Sequence, residues 1–324
     1  MSGDSLSTDE TLHLLEKPKE IAICGHVNPD GDALGSGLAL AAFLRMKGHR
    51  VTCLLAKQEK PPELYRFLDH YDLMPAAEYD LAPDLFIAMD LPVKNRLGDA
   101  IEVFDRAAET LVIDHHPDYS GFADHYYGDA TASATGMLVW KLIKASDVVP
   151  TKEMAEYCYV ALITDTGRFS FQNTTTESFM MAAEMVTAGV DPSKTSALVY
   201  DSVSLNALKL DARLISRISF AAGGRFVFSW VTEEDFDELQ LSRDESEGLP
   251  TILRSVKGAE VAALLREEGE RIRVNLRAKG CCDVGSIARH FGGGGHQAAA
   301  GFTLTASLEE ARDLIVEEVD SIVA

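Results

Sequence analysis

Basic residues are scarce in this chain. Thirty Lys and Arg stand against 51 Asp and Glu, a net charge of −21 over 324 residues. So acidic a protein has no long-range positive field, which argues against a duplex or a long single strand as partner. A short anion is a different case, because bound cations and a few local arginines reverse the sign inside a cleft. Cysteine is sparse too. Five residues, with Cys281 and Cys282 adjacent, make no disulfide framework and fit a reducing compartment. Cys24 and Cys53 sit in apolar strand-like runs and read as buried packing residues. No run reaches the ~18 apolar residues of a membrane helix. The opening MSGDSLSTDETLHLLEKPKE lacks the apolar stretch of a secretion signal. The expectation is a cytoplasmic protein without a membrane partner.

What the chain does have is a βα alternation. Hydrophobic residues at 46% and charged residues at 25% suit a globular chain long enough for two cores. Strands are predicted over Ile21–His26, Arg50–Ala56, Asp84–Asp90 and Thr110–His116. Helices are predicted over Asp32–Lys47, closed by Gly48, then near Asp99–Glu109, Ser133–Lys144 and Glu153–Thr164. This is an α/β pattern, a doubly wound parallel sheet. A helical stretch follows from Thr176 to Leu210. Beyond Leu214 the strands Arg225–Val231, Glu260–Glu267 and Arg271–Ala278 point to a second, smaller mixed α/β domain that ends in a helix. The expected division is 1–190, a helical linker 191–213, and 214–324.

Four apolar runs of the first half lead into an acid or an imidazole. HVNPDGD presents His26, Asp30 and Asp32. LFIAMD ends at Asp90, TLVIDHH at Asp114, His115 and His116, and ALITD at Asp165. Singly, each acid has a plainer use, Asp32 as a helix N-cap and Asp90 or Asp165 as a turn former. Together, at the carboxyl edge of a parallel sheet, they would repel one another strongly. Two divalent cations would balance the four charges of Asp30, Asp32, Asp90 and Asp165. Mixed imidazole and carboxylate donors suit manganese, iron, cobalt or zinc better than magnesium. The segment reads as a two-metal hydrolase.

The second domain carries GGGGHQAAAG, Gly292–Gly301. Successive glycines let backbone N–H groups cradle an anion. The Gly-Lys-Ser/Thr ending of a nucleotide P-loop is missing, so an NTPase is not supported. Four glycines alone would also make a linker, but a linker needs neither the histidine nor the small residues that follow.

In order, HVNPDGDALGSGLAL, AMDLP, DHHP, ITDTGRF and GGGGHQAAAG resemble the DHH-family phosphoesterases, a superfamily that includes RecJ-like exonucleases, family II pyrophosphatases and short-oligonucleotide hydrolases. The resemblance spans nearly the whole chain. It implies that His26, Asp30 and Asp90 hold one metal and that Asp32, Asp90, His115 and Asp165 hold the other, with Asp90 bridging. His116 would face the scissile phosphate, Asp114 would orient the histidines, and Arg96 would assist. Arg277, Gly293, Gly294, Gly295 and His296 would hold the far end of the substrate. Two departures stand out. DLPVKNRLG replaces the VDTSD-like or VDTGD-like residues that often follow the bridging acid, and Arg277-Ala278 replaces Arg-Ser.

The implied activity is manganese-dependent hydrolysis of short single-stranded oligoribonucleotides or dinucleotides to mononucleotides, together with removal of the 3′-phosphate from adenosine 3′,5′-bisphosphate. A phosphodiesterase of cyclic dinucleotides or of linear pApA or pGpG is the nearest alternative. The alternative from another class is a nucleotide-binding regulatory protein on the same scaffold. The resemblance leaves a homodimer open.

Overall fold

A computed structural model describes residues 5–57, 60–68, 73–201, 203–246, 248–280 and 282–323, without the side chains of Glu63, Asp244, His296 and residues 320–323. Cys281 lies outside the described residues. The chain divides into two compact units, Met1–Ser202 and Val203–Ala324.

The first unit contains strands β1 (Glu20–Cys24), β2 (Arg50–Leu55), β3 (Met74–Pro75), β4 (Leu85–Met89), β5 (Glu109–Asp114) and β6 (His125–Gly128). Its helices are α1 (Thr8–Leu15), α2 (Gly31–Met46), α3 (Ile101–Asp105), α4 (Thr135–Ala145), α5 (Lys152–Asp165), α6 (Thr176–Thr187) and α7 (Pro192–Tyr200). All strand pairings are parallel, in the order β3-β2-β1-β4-β5-β6. The chain runs outward from β1 and then returns to place β4 on its other side. The crevice outside the carboxyl ends of β1 and β4 is therefore the switch point, where such sheets bind ligands.

Alternating side chains explain why both faces are covered. Ile21, Ile23, Leu85, Ile87, Met89, Leu111 and Ile113 enter one core, with α2, α4 and α5. Ala22, Cys24, Phe86, Ala88 and Val112 enter the other, with Leu97 and Phe104. A strand buried on both faces reads as a continuous apolar run, as these do.

The second unit contains α8 (Leu205–Ser216), β7 (Ser219–Ala221), β8 (Phe226–Val231), α9 (Glu233–Leu239), α10 (Leu249–Arg254), β9 (Val261–Glu268), β10 (Arg271–Ala278), α11 (Val284–His290), β11 (Gly294–His296), β12 (Ala299–Leu304) and α12 (Leu308–Val323). Its sheet order is β11-β12-β10-β9-β8-β7. Among the described residues only β8 and β9 pair in parallel, so the sheet is mixed. On β10, Ile272, Val274, Leu276 and Ala278 enter the core, leaving Arg273, Asn275 and Arg277 on the opposite face.

Several sequence expectations need correction. The helix predicted near Asp99–Glu109 ends at Asp105, because Glu109 already belongs to β5. β1 and β4 stop before His26 and Asp90, which leave the sheet and turn into the crevice. The glycine run divides between two elements. Gly292 and Gly293 donate to the Arg289 and Ala288 carbonyls and close α11, and Gly294 onward forms edge strand β11. A side chain on Gly293 would begin 2.2 Å from the Gly301 carbonyl oxygen, which is why the position tolerates none. Cys24, Cys53 and Cys158 are buried free thiols, and Cys282 is buried. Among the described residues, no helix is long and apolar enough to cross a membrane.

Candidate metal centre

The turn after β1 places three of the predicted residues. Asp30, not Asp32, caps α2: its Oδ1 accepts from the Asp32 and Ala33 amides at 3.0 Å each. Its other oxygen, Oδ2, lies 3.8 Å from His26 Nε2. One carboxylate therefore starts the helix and faces the crevice at once. Asp90 follows β4 with a φ of 60°, a left-handed conformation that costs an ordinary residue energy and gathers at functional sites. Asp165 is the last residue of α5. It reaches the others because α2 and α5 pack on glycine: a side chain on Gly31 would begin 2.5 Å from the Thr164 side chain, and one on Gly35 2.5 Å from the Tyr157 carbonyl oxygen.

These residues converge. His26, Asp30 and Asp90 form one group and Asp32, His115 and Asp165 another, with the donor atoms of each within 4.8 Å of one another. Asp90 reaches both: its Oδ2 is 3.6 Å from His26 Nε2 and its Oδ1 3.6 Å from His115 Nε2. His115 Nε2 is also 3.6 Å from Asp165 Oδ2 and 3.8 Å from Asp32 Oδ2. Such separations are too long for hydrogen bonds. Two donors about 2.1 Å from one cation and tetrahedrally disposed lie about 3.5 Å apart, so the spacing fits donors that share an ion.

The imidazole tautomers agree. His26 Nδ1 donates to the Val27 carbonyl at 2.9 Å and His115 Nδ1 to the Ala132 carbonyl at 3.0 Å. In the neutral ring each Nε2 is then left with a lone pair directed at the acids, the usual arrangement of a metal-ligating histidine.

The electrostatics show what the protein alone endures. Burial pushes the Asp32 carboxyl well above its ordinary range, and the charges of Asp90, Asp165 and Asp30 add to it. Burial, with Asp90 and Asp30, raises Asp165 to about 7 against the pull of His115. For Asp90 burial is outweighed by His26, His116 and His115, which hold it below the ordinary range. Burial opposes protonation of His26, but Asp30 and Asp90 raise it to about 9. A pocket that must protonate some acids to tolerate the rest fits divalent cations by charge as well as by donor type.

His116 and Asp114 form an adjoining pair. His116 Nδ1 donates to Asp114 Oδ1 at 2.6 Å and lies 3.7 Å from Asp90 Oδ1. Arg96 is half-buried, and its carbonyl accepts from the Val27 amide at 2.8 Å. Its charge acts against protonation of both His26 and His116.

Sequence reasoning missed the segment 132–136. The Thr135 amide donates to Asp32 Oδ2 at 2.7 Å and the Gly136 amide to Asp32 Oδ1 at 2.9 Å. The Thr135 hydroxyl donates to Asp90 Oδ1 at 2.9 Å. Asn173 Nδ2 donates to Asp165 Oδ2 at 3.3 Å and to the Ser133 carbonyl at 3.1 Å. Backbone amides and one hydroxyl carry no chemical signature in a sequence. The one available signal was Ser-Ala-Thr-Gly opening a predicted helix.

In the second unit, Arg277 is half-buried on β10, and its Nη1 donates to the Leu276 carbonyl at 3.0 Å. Burial lowers its pKa, and Arg254, also missed from the sequence, lowers it further. A second positive charge acting on Arg277 favours an anion beside it. A Cβ on Gly294 would meet open space, whereas Gly295 has a φ of 135° and lies against the Ala299 and Ala300 backbone. The His296 side chain is outside the described ones.

Residues 20–162 match the DHH family, N-terminal domain, and residues 223–324 the DHHA1 domain. The bifunctional oligoribonuclease and PAP phosphatase NrnA of Thermus thermophilus is 32% identical over 96% of this chain and 91% of its own length. That of Bacillus subtilis is 28% identical over 97% of each. A probable manganese-dependent inorganic pyrophosphatase of Staphylococcus saprophyticus is 27% identical over 69% of this chain and 74% of its own. The crystal structure of an exopolyphosphatase-related protein from Bacteroides fragilis superposes with a TM-score of 0.90 at 25% identity, covering 98% of this chain and 97% of that one. The chain belongs to the DHH family and is a hydrolase acting on phosphoester bonds.

Proposed function

We propose that this protein hydrolyses short single-stranded oligoribonucleotides to mononucleotides, and adenosine 3′,5′-bisphosphate to AMP, with two divalent cations, manganese by preference. The observation that carries the reading is Asp90, whose two oxygens face two separate groups of donors. His26, Asp30 and Asp90 would hold one cation, and Asp32, Asp90, His115 and Asp165 the other. When bound, the pair supplies Lewis acidity toward a phosphoryl oxygen and eases deprotonation of the attacking water.

The side chains do the rest. His116, whose burial opposes protonation but which the Asp114 bond and the charges of Asp90 and Asp114 raise to about 9, is protonated at neutral pH and offers a positive charge to the phosphoryl oxygens. Asp114 fixes the orientation of that ring. Arg96 adds a second cation beside His26 and His116. On the second unit, Arg277 and the stretch Gly293, Gly294, Gly295 and His296 would bind a phosphate of the substrate. The relatives named as oligoribonuclease and PAP phosphatase support this substrate class, and the imidazole-rich donor set supports manganese.

The test is turnover of pApA, short RNA, cyclic di-AMP and adenosine 3′,5′-bisphosphate by purified full-length protein with manganese. Release of mononucleotides from pApA and short RNA is expected. Turnover confined to cyclic di-AMP would replace the substrate assignment, and no turnover of any of them would refute it.

A further inference from the structure

The predicted ligands come from four separate places in the chain, and one short segment bonds directly to residues from three of them and reaches the fourth through Asn173. The Ala132 carbonyl accepts from His115, and the Ser133 carbonyl accepts from Asn173, which also donates to Asp165. The Thr135 and Gly136 amides hold the two oxygens of Asp32, and the Thr135 hydroxyl holds Asp90. Thr135 is fully buried. Ser133 Oγ is itself anchored, 2.6 Å from Ser178 Oγ at the start of α6.

We propose that residues 132–136 form a positioning strap for the cation-binding side chains, with the Thr135 hydroxyl setting the rotation of Asp90. This rests on the two-cation reading above. A carboxylate that serves two ions must keep each oxygen toward its own group. Free rotation about χ2 would swap or tilt the oxygens. The hydroxyl occupies one lone pair of Oδ1 and leaves the other toward His115, while Oδ2 stays toward His26. The Thr135 amide, bonded to Asp32, ties the second acid to the same residue. Thr135 is thus a positioning residue for both acids at once. Supporting partners of this kind typically change metal affinity by about 10–100-fold when removed.

Thr135→Val removes the hydroxyl and keeps the backbone amide and the side-chain shape. Thr135→Ser keeps the hydroxyl. Full-length wild type and both variants are titrated with manganese by calorimetry, with melting followed in chelator as a check on folding. Val is expected to bind manganese about 10–100-fold more weakly than wild type. Ser is expected to restore most of the affinity. On pApA, Val should lose kcat more than it raises KM. Wild type binding two ions and Val binding both equally well would overturn the proposal alone. Ser as weak as Val would do the same, since the hydroxyl would not be the cause. Wild type binding no manganese would overturn the two-cation reading as well. Should Val fail to fold, Thr135→Ala carries the test: weaker manganese binding supports the strap, and unchanged binding overturns it.

Discussion

His116 Nδ1 donates to Asp114 Oδ1 at 2.6 Å, while the other oxygen of Asp114 is buried with no hydrogen-bond partner among the described residues. The same Oδ1 accepts from the His116 amide at 3.2 Å, so the carboxylate holds both the ring and its backbone. Burial opposes protonation of the ring, but Asp114 together with Asp90 raises His116 to about 9, so the imidazolium persists at neutral pH and is lost as pH rises through that value. Activity should therefore fall on the alkaline side near there. Asp114→Asn should move that limb down toward the ordinary histidine range near about 6.5. It should also cut kcat about 10–100-fold at about pH 8. A pH–rate profile of both proteins checks this, and an unmoved limb would count against the pairing.

Without metal, the site should weaken the fold as pH rises. Asp165, raised by burial to about 7, keeps a proton in the native state that the unfolded chain releases near about 3.9. His26 and His116 are raised to about 9 against about 6.5 unfolded, so the stability they contribute is lost as pH climbs from the lower value to the higher. Both effects have one sign. In chelator, the melting temperature should drop steadily from about pH 5 to about pH 9. Manganese should remove most of that slope. Asp165→Asn should remove the part of that slope below about pH 7 in chelator and gain little from manganese.

Gly35 sets two tendencies against each other. In a helix interior, alanine is favoured over glycine by about 1 kcal/mol. Here an added Cβ would lie 2.5 Å from the Tyr157 carbonyl oxygen and 3.0 Å from the Ala161 amide nitrogen. Backbone atoms of a packed helix cannot swing aside as a side-chain end can. Overpacking of about 1–3 kcal/mol wins. Gly35→Ala should be less stable in urea and should bind manganese more weakly, because α2 and α5 carry acids of the same site. Increased stability would show that the interface is looser than described.

Asp235 organises the second unit. It accepts from Arg217 Nη2 and Arg213 Nη1 at 2.9 Å each and from the Thr232 amide at 2.8 Å. Burial pushes its pKa up, but Arg217, Thr232 and Arg213 push harder, leaving it below the ordinary carboxylate range. The stability it contributes is present above about pH 4 and disappears as pH falls below that. Asp235→Ala should cost about 3 kcal/mol at neutral pH, read by urea unfolding, and much less at pH near about 2. A cost that did not depend on pH would mean packing, not charge, is what is lost.

The acids and imidazoles were legible because each ends an apolar run, and such runs become central parallel strands or buried helices. His26, Asp30, Asp32, Asp90, His115 and Asp165 do come together. What surrounds them was not legible. Asp30 rather than Asp32 caps α2, a choice between two neighbouring carboxylates that only the backbone geometry at the turn decides. The left-handed turn at Asp90 has no glycine to announce it. β6 and β11 are too short for a periodic pattern, and the glycines of the run divide between stopping α11 and forming β11. The strap at 132–136 works through main-chain groups, which every sequence has.

The most direct test is the number of manganese ions bound per full-length chain, measured by calorimetry and by metal content after gel filtration. Wild type should hold two, and Asp90→Asn should hold fewer and lose phosphodiesterase activity. A chain that turns over pApA with a single ion, or an Asp90→Asn protein that keeps both ions and full turnover, would contradict a centre built around Asp90.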